Sequence, residues 1–372
     1  MKKINLFYVT VFLLVISILG SGCNNQTKND KTIKVGVILP FTGQLANYGV
    51  EIKKGIQLAK VDIGDNIKVI YTDSKGEPTT GANNIQKLIN INEVKYVIGD
   101  VSSPVTLAIA PVAARNKVFL ICPGASSPKL QNINPFFARN YPSSVAESTE
   151  SAKFLFSDKK ITKAAVVYVN SEYGLGLLHL FTQTFEKLGG KIMLSEPYES
   201  GATNFRTIIT KLRMEKVPAI YLGGNQKEMG HFVRQLKETN YNPVIVSNIS
   251  FLEPDCLNIA GQAANGVIVP VAYYNPKDSL MQGSYLFAKK YFKKYGKEPS
   301  VVNAVGYDAL MLIFKAIKNV GNNPQKVAEY VRSLKNYNGA LGTLNFTKGE
   351  VSIPIVFKRV ENGKVITIKK GI

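Results

Sequence analysis

The chain has 372 residues, 45% of them hydrophobic and 19% charged, which excludes a disordered protein and allows two globular domains with hydrophobic cores. Lys and Arg outnumber Asp and Glu by 46 to 26, but the lysines are scattered, so we interpret the net charge of +20 as a solvated basic surface facing an anionic cell envelope, not as a nucleic-acid site. Three cysteines and two histidines exclude disulfide scaffolds, CxxC zinc sites and HExxH hydrolases, and we expect no metal or cofactor.

Residues 1–22 have the layout of a secretory signal peptide. Lys2 and Lys3 precede an apolar stretch from Leu6 to Leu19, which is shorter than the roughly 20 residues of a membrane-spanning helix. Small residues then precede Cys23, as in a lipoprotein processing box, although Gly20 stands where that pattern has Leu; the alternative is an ordinary signal peptide with a chance cysteine. We therefore expect a protein outside the cytoplasm, lipid-anchored at Cys23, with residues 23–32 as a tether.

Short β-branched runs alternate with amphipathic runs from Ile33 onward. The first series predicts strands at 33–39, 67–72, 96–98 and 118–121, separated by helices at 48–61, 79–91 and 105–115. The strands are apolar on both faces, as expected when helices cover both sides of a parallel sheet. Cys122 follows the fourth strand and is interpreted as a core residue, with a disulfide to Cys256 as the alternative.

A second series repeats this pattern from Ala164 to Val269, so the sequence predicts two similar α/β lobes. Three successive helices at 280–295, 302–320 and 324–334 then pack back onto an existing lobe, and strand-like pieces at 342–346 and 353–360 end in a hairpin turn at 361–363. A chain that visits the lobes in this order crosses between them more than once, which makes a hinge. We assign residues 33–141 plus 274–337 to lobe 1 and residues 142–273 plus 338–372 to lobe 2.

Paired hydroxyls follow two neighbouring strands of lobe 1, Ser102-Ser103 and Ser126-Ser127. Ligands of open α/β sheets bind beyond the carboxyl ends of the strands, and hydroxyls with free N–H groups at a helix start suit a carboxylate. One such loop alone reads better as a helix cap, but two on adjacent strands favour a binding site. In lobe 2, Tyr173 opens a helix and offers a flat face and a hydroxyl to a ligand.

Catalytic motifs are missing from the sequence. There is no GxSxG, no phosphate-binding loop and no acidic cluster with metal spacing, and Gly174-x-Gly176 lacks the third glycine of a dinucleotide fingerprint because His179 stands there. We therefore predict a binding protein, not an enzyme. A two-carboxylate hydrolase remains an alternative that nothing in the sequence favours.

Several stretches together resemble the extracytoplasmic solute-binding proteins of the leucine/isoleucine/valine-binding type, which serve ABC importers. The matching segments are residues 33–40, Thr42-Gly43, Tyr48-Gly49, Ile98-Gly99, Ser102-Ser103, 123–128, Tyr173-Gly174, Gly223-Gly224, 261–267 and 306–309. This resemblance implies a type I periplasmic binding protein clamshell, with two doubly wound parallel-sheet lobes joined by a three-crossover hinge. It also implies a monomer that traps a small solute, most simply a branched-chain or other apolar amino acid, and delivers it to an ABC permease and its ATPase. A runner-up is a receptor that reports an amide or aromatic acid to a membrane signalling partner.

The resemblance also implies the ligand contacts. Positions matching Ser102, Ser103, Ala125 and Ser126, with Ser127 beside them, hold the ligand carboxylate, and those matching Tyr48 and Tyr173 pack on the ligand from opposite lobes. The chain departs from the family's amino-acid binders at Asn225, where they have a tyrosine, and around Asn248, where they have an acid for the ligand ammonium. Glu172 or Asp100 then serves as a substitute, or the ligand is not a zwitterion.

Overall fold

The computed structural model describes residues 32–370. The predicted signal peptide, Cys23 and all of the tether except Thr32 lie outside the described residues. Among the described helices, none is long and apolar enough to cross a membrane.

Two sheets organise the described part of the chain. The strands of the first sheet are β1 (Ile33–Leu39), β2 (Ile67–Asp73), β3 (Tyr96–Gly99), β4 (Phe119–Cys122), β5 (Phe137–Arg139), β11 (Tyr337–Gly339), β12 (Gly342–Thr347) and β13 (Glu350–Ser352). Those of the second are β6 (Lys163–Val169), β7 (Lys191–Tyr198), β8 (Ala219–Gly223), β9 (Val244–Ser247), β10 (Ile268–Ala272), β14 (Ile355–Glu361) and β15 (Lys364–Lys370). The eight strands of the first sheet lie in the order β11-β12-β13-β5-β4-β3-β1-β2, and the seven of the second in the order β15-β14-β10-β9-β8-β6-β7.

Helices cover both faces of each sheet. Those of the first lobe are α1 (Ala46–Ile63), α2 (Pro78–Asn90), α3 (Ser103–Arg115), α9 (Gln282–Tyr295), α10 (Val301–Val320) and α11 (Pro324–Ser333). Those of the second lobe are α4 (Ser144–Lys153), α5 (Glu172–Lys187), α6 (Arg206–Met214), α7 (Gln226–Lys237) and α8 (Pro254–Ala260). Shorter helical turns lie at Gly64–Asn66, Pro128–Leu130, Phe154–Asp158, Ile249–Leu252 and Gly261–Ala264.

The central strands form a core because they are apolar on both faces, as the sequence predicted. β1, β3 and β4 are almost wholly buried, and residues of β1 alternate between the clusters on the two faces of the sheet, with Val37 in one and Ile38 in the other. Against one face, α1 and α10 pack closely through glycines. A methyl group on Gly306 would lie 2.3 Å from the Ile52 carbonyl oxygen, and one on Gly55 would lie 2.0 Å from that of Asn303, so only glycine permits this helix spacing.

The chain passes between the sheets three times, as the clamshell prediction requires. It crosses after β5, after β10, and between Ser352 and Ile355. The predicted boundary after residue 337 is wrong, because β11, β12 and β13 extend the first sheet and only residues from Ile355 onward join the second. β13 attaches to β5 through the single pair Glu350–Arg139, a long-range contact that local patterning does not reveal. The hairpin turn at 361–363 is confirmed: Asn362 and Gly363 both have positive φ between β14 and β15.

Candidate functional site

A cavity of about 300 Å³ lies between the lobes, beyond the carboxyl ends of the strands. The first lobe lines it with Tyr48, Ser102, Ser103 and Ser126, and the second with Tyr173, Asn225, Ser250 and Glu253. The lobes also meet outside the cavity. The Lys129 ammonium lies 2.6 Å from the Glu172 carboxylate, and a methyl group on Gly176 would lie 2.7 Å from the Pro128 ring.

Three of the four predicted serines, Ser102, Ser103 and Ser126, line the cavity, whereas the Ser127 side chain caps the helical turn at 128–130. Ser102 is the N-cap residue of α3, yet its side chain makes no capping hydrogen bond. Ser126 also lines the cavity, and Pro104 is the second residue of α3, one position later than expected. A Ser hydroxyl that is almost buried and faces a cavity is available to a ligand, so the capping interpretation does not account for Ser102.

Ala125 and Ser127 were expected to touch the ligand, but the structure does not bring them to the cavity wall. Both are fully buried. The Ala125 N–H donates to the Asp100 carbonyl at 3.3 Å, and the Ser127 N–H donates to Ser103 Oγ at 3.2 Å. Their carbonyls accept hydrogen bonds from Arg139 Nη1 at 3.2 and 3.0 Å. These two residues hold the loop behind Ser126 in place, and Arg139 is a supporting residue that the sequence analysis missed.

The second lobe presents Tyr173 through a neighbouring asparagine. Tyr173 lies in the first turn of α5, where the Ser171 side chain accepts from the Gly174 N–H at 3.3 Å. Asn248 Nδ2 donates to the Tyr173 hydroxyl at 2.7 Å, while its Oδ1 accepts from the Gly224 N–H at 3.0 Å. Asn248 therefore orients Tyr173 from behind and does not line the cavity. Asn225 does line it, and its side chain makes no capping bond to α7.

The acid of the cavity is Glu253, which the sequence analysis missed. It is half-buried, and burial raises its pKa to about 7, with the negative charges of Glu51 and Asp255 adding to the shift. The two expected substitutes lie elsewhere. Glu172 pairs with Lys129, and the buried Asp100 accepts from Ser74 Oγ at 2.6 Å and from the Ser102 N–H at 2.7 Å. The available signal was Glu253 directly before Pro254 at a helix start, six residues past the β9 strand.

Two further groups near this part of the cavity have raised pKa values, Tyr48 beside Glu253 and Glu147 behind the wall. The Tyr48 hydroxyl is buried and has no hydrogen-bond partner among the described residues, and burial and then the charge of Glu253 raise its pKa. Glu147 on α4 is fully enclosed, and burial raises its pKa to about 8, while the Ile249 N–H and the Tyr141 side chain act against that shift. The second lobe thus holds two carboxyl groups with raised pKa values, of which Glu253 lines the cavity and Glu147 lies behind its wall, while the Tyr48 hydroxyl without a partner comes from the first lobe.

Comparison with known proteins agrees with this architecture. The family model described as periplasmic binding protein matches residues 32–364. This chain belongs to that family. Membership places it among solute-binding proteins outside the cytoplasm, a group of binding proteins rather than enzymes.

Individual relatives are moderately similar. The Leu/Ile/Val-binding protein homolog 1 of Brucella abortus is 28% identical over 333 residues, which cover 87% of this chain and 88% of the relative. The crystal structure of a leucine-binding protein from Thermotoga maritima has a TM-score of 0.86 and 29% identity, covering 91% of this chain and 98% of that one. A benzoate complex of a solute-binding protein from R. palustris has a TM-score of 0.82 at 18% identity, covers 91% and 96%, and shares the fold.

Proposed function

We propose that this protein is the lipid-anchored solute receptor of an ABC importer and that its ligand is a small apolar amino acid. The Brucella relative is a Leu/Ile/Val-binding protein homologue and the Thermotoga structure is a leucine-binding protein, both aligned along most of this chain. The volume of about 300 Å³ suits a small solute.

The observation that carries the ligand class is the opposite chemistry of the two cavity walls. Hydroxyls of Ser102, Ser103 and Ser126 on the first lobe suit a carboxylate, whereas Glu253 on the second suits an ammonium group. An amino acid presents both groups, and its apolar side chain then packs against the rings of Tyr48 and Tyr173. Because both lobes contribute, a bound zwitterion favours the state in which the lobes meet.

Delivery completes the proposal. A lipidated Cys23 would keep the monomeric receptor at the membrane beside a permease and its ATPase, and lobe closure would form the surface that the permease recognises. In cells of the source organism, labelled palmitate is expected to enter the wild-type protein but not Cys23→Ser. An unlabelled wild-type protein would contradict the lipid anchor.

A second candidate is an aromatic acid, reported to a signalling partner. The pKa of Glu253 at about 7 allows this carboxyl to be neutral near neutral pH, which a ligand without a cation requires. The benzoate-binding structure shares the fold with this chain.

A thermal-shift screen followed by calorimetry tests the ligand class. The panel contains the twenty L-amino acids, benzoate and 4-hydroxybenzoate. A ligand at about 100 times its dissociation constant adds about 2.7 kcal/mol to the free energy of unfolding. We expect leucine, isoleucine or valine to shift the transition, and Ser126→Ala to reduce the shift while the distant surface change Met214→Ala preserves it. A panel in which only the benzoates shift the transition would contradict the amino-acid proposal.

A further inference from the structure

Helix α9 carries large apolar side chains on its outer side. Leu286 and Phe292 are 50% and 52% exposed, and Leu280, just before the helix, is 92% exposed. Together with Lys289 and Lys293 we call these five residues the α9 face. The inner side of the same helix packs Phe287 and Tyr291 into the core of the first lobe, so α9 is anchored and the α9 face has no partner within the described residues.

The α9 face is strongly cationic. Residues 280–297 contain five lysines and no acidic residue. Two of these lysines are paired with acids of α1, Lys290 with Asp62 at 2.8 Å and Lys297 with Glu51 at 3.2 Å. Lys289, Lys293 and Lys294 make no ion pair among the described residues. Exposed Leu and Phe side chains beside lysines are the composition of helices that lie in the interface of an anionic bilayer.

The position of α9 also brings it near the start of the first lobe. Lys290 contacts Asp62 near the end of α1, and Ile67, five residues later, pairs with Ile33, the first residue of β1. Ile33 is ten positions after Cys23, and a chain of ten residues reaches at most about 35 Å. Val61, next to Asp62, adds another apolar side chain that is 64% exposed. A membrane-bound Cys23 therefore keeps this end of the lobe within reach of lipid.

We propose that the α9 face docks onto the anionic surface of the membrane that holds Cys23. Leu280, Leu286 and Phe292 enter the interface, while Lys289 and Lys293 contact lipid phosphates. A second copy of the chain is a poorer occupant because it would bring the same lysines against each other. Docking would fix the orientation of the tethered first lobe relative to the membrane, which is a role separate from ligand capture. It rests on the proposed anchor, but not on the identity of the solute.

The sequence contains no tryptophan, which allows a specific test. Full-length lipidated protein carrying Phe292→Trp is reconstituted in vesicles of phosphatidylcholine and phosphatidylglycerol with brominated acyl chains. Met214→Trp is the matched control, since Met214 is 75% exposed and lies at the end of α6 in the other lobe. We expect a blue shift and at least a twofold quenching for Phe292→Trp and no quenching for Met214→Trp. Adding Lys289→Gln and Lys293→Gln, or replacing phosphatidylglycerol by phosphatidylcholine, should abolish most of the quenching.

The outcomes separate docking from anchoring. Equal quenching at the two positions, or none at position 292 in protein that floats with the vesicles, overturns the docking proposal while the anchor stands. Protein that does not float with the vesicles contradicts the anchor instead, and binding is then measured by adding the unanchored protein to phosphatidylglycerol vesicles, where no quenching at position 292 overturns docking. A blue shift without bromine quenching, together with a doubled mass, assigns the α9 face to a second copy and also overturns it. Leu286→Trp serves as a second reporter should Phe292→Trp misfold.

Discussion

Arg139 and Glu350 form an ion pair that fastens the last stretch of the first sheet to the loop behind Ser126. Arg139 is fully buried, and its Nε donates to Glu350 Oε2 at 2.9 Å. Its Nη1 holds the Ala125 carbonyl at 3.2 Å. Because the peptide group is planar and trans, fixing the Ala125 carbonyl also fixes the direction of the Ser126 N–H on the opposite side. The geometry of a loop that lines the cavity thus depends on an ion pair whose partners are 211 positions apart in the chain.

Removing one partner of this pair should be costly. Arg139→Met leaves the half-buried Glu350 carboxyl without its nearest cation and the Ala125 and Ser127 carbonyls without their donor, and we expect a loss of about 3 kcal/mol in the free energy of unfolding, measured by urea denaturation. The double variant Arg139→Met with Glu350→Met should recover the part of this loss that comes from the unpaired carboxylate, but not the part that comes from the Ala125 and Ser127 carbonyls. A single variant that loses less than about 1 kcal/mol would show that the pair is unimportant for stability.

Ser126 and Ser127 are neighbours with different expected roles. Ser126→Ala removes a hydroxyl that lines the cavity and should weaken ligand binding by about 1–3 kcal/mol with little effect on unfolding. Ser127→Ala removes the acceptor for the Lys129 N–H and should lower stability by about 1 kcal/mol with a smaller effect on affinity. Calorimetric titration and urea denaturation of both variants measure the contrast. Equal losses of affinity in the two variants would mean that the ligand also contacts Ser127, which does not line the cavity.

Tyr173 contributes both a ring and an anchored hydroxyl. Tyr173→Ala should weaken binding by about 1–3 kcal/mol because the ligand loses a packing surface. Tyr173→Phe retains the ring and loses only the hydrogen bond from Asn248, so it should cost about 1 kcal/mol or less. Asn248→Ala tests the same bond from the other side, and affinities of all three follow from calorimetry. A phenylalanine variant as weak as the alanine variant would mean that the hydroxyl itself binds the ligand.

The parts of the fold that followed from sequence are those with local signals. β1, β3 and β4 were predictable because a continuous apolar run marks a strand covered on both faces, and Ser102 and Ser126 because they directly follow such strands. In contrast, β5 has three residues, and its neighbour β13 pairs with it through one residue. Neither length nor periodicity distinguishes such strands from loops.

The missed residues of the site have the same cause. Glu253 follows the turn at Ile249–Leu252 and lines the cavity together with residues of α1. The resemblance to the family predicted the acid a few residues earlier, near Asn248, so Glu253 was not considered. Arg139 acts through carbonyl groups, which carry no side-chain signature in the sequence. Ala125 and Ser127 were expected at the cavity wall but lie behind it, because alternate residues of an extended loop point to opposite sides and Ser126, between them, faces the cavity.

The enclosed Glu147 should make stability depend on pH. Its pKa is raised to about 8 in the folded protein from 4.5, so the folded state binds more protons than the unfolded state between these values. Its contribution to the free energy of unfolding therefore falls as pH rises through this window, by up to about 1.4 kcal/mol per pH unit, and is constant above pH 8. Asp100 and Asp308 also have raised pKa values, of about 7, and their contributions to the free energy of unfolding fall with rising pH in the same way.

Glu147→Gln isolates the effect of this one carboxyl. The variant keeps the shape of the neutral acid and cannot ionise, so its stability relative to wild type should improve from pH 5 to pH 8.5 in the unliganded protein. Urea denaturation at several pH values measures the difference. A constant difference across this range would mean that Glu147 has an ordinary pKa in the folded state.

Glu253 distinguishes the two ligand classes by the sign of a pH effect. Its pKa is about 7 in the unliganded protein. An ammonium group bound beside it favours the carboxylate, so binding releases a proton and affinity for leucine should rise with pH, by up to tenfold per unit, and level off above pH 7. Benzoate needs the neutral acid, so its affinity should fall as pH rises above 7.

Calorimetry from pH 5.5 to 8.5 measures either trend, and Glu253→Gln should remove it. Glu147→Gln is the matched control, because the pKa of Glu147 is also raised, to about 8, although this carboxyl does not line the cavity. For an amino acid, Glu253→Gln should also lose affinity at pH 8, where the wild-type carboxylate is charged; for benzoate the same substitution should gain affinity there. An affinity for leucine that is independent of pH in wild type and unchanged in Glu253→Gln would show that the ammonium group binds elsewhere in the cavity, since a carboxylate in contact with a cation cannot keep a pKa near 7.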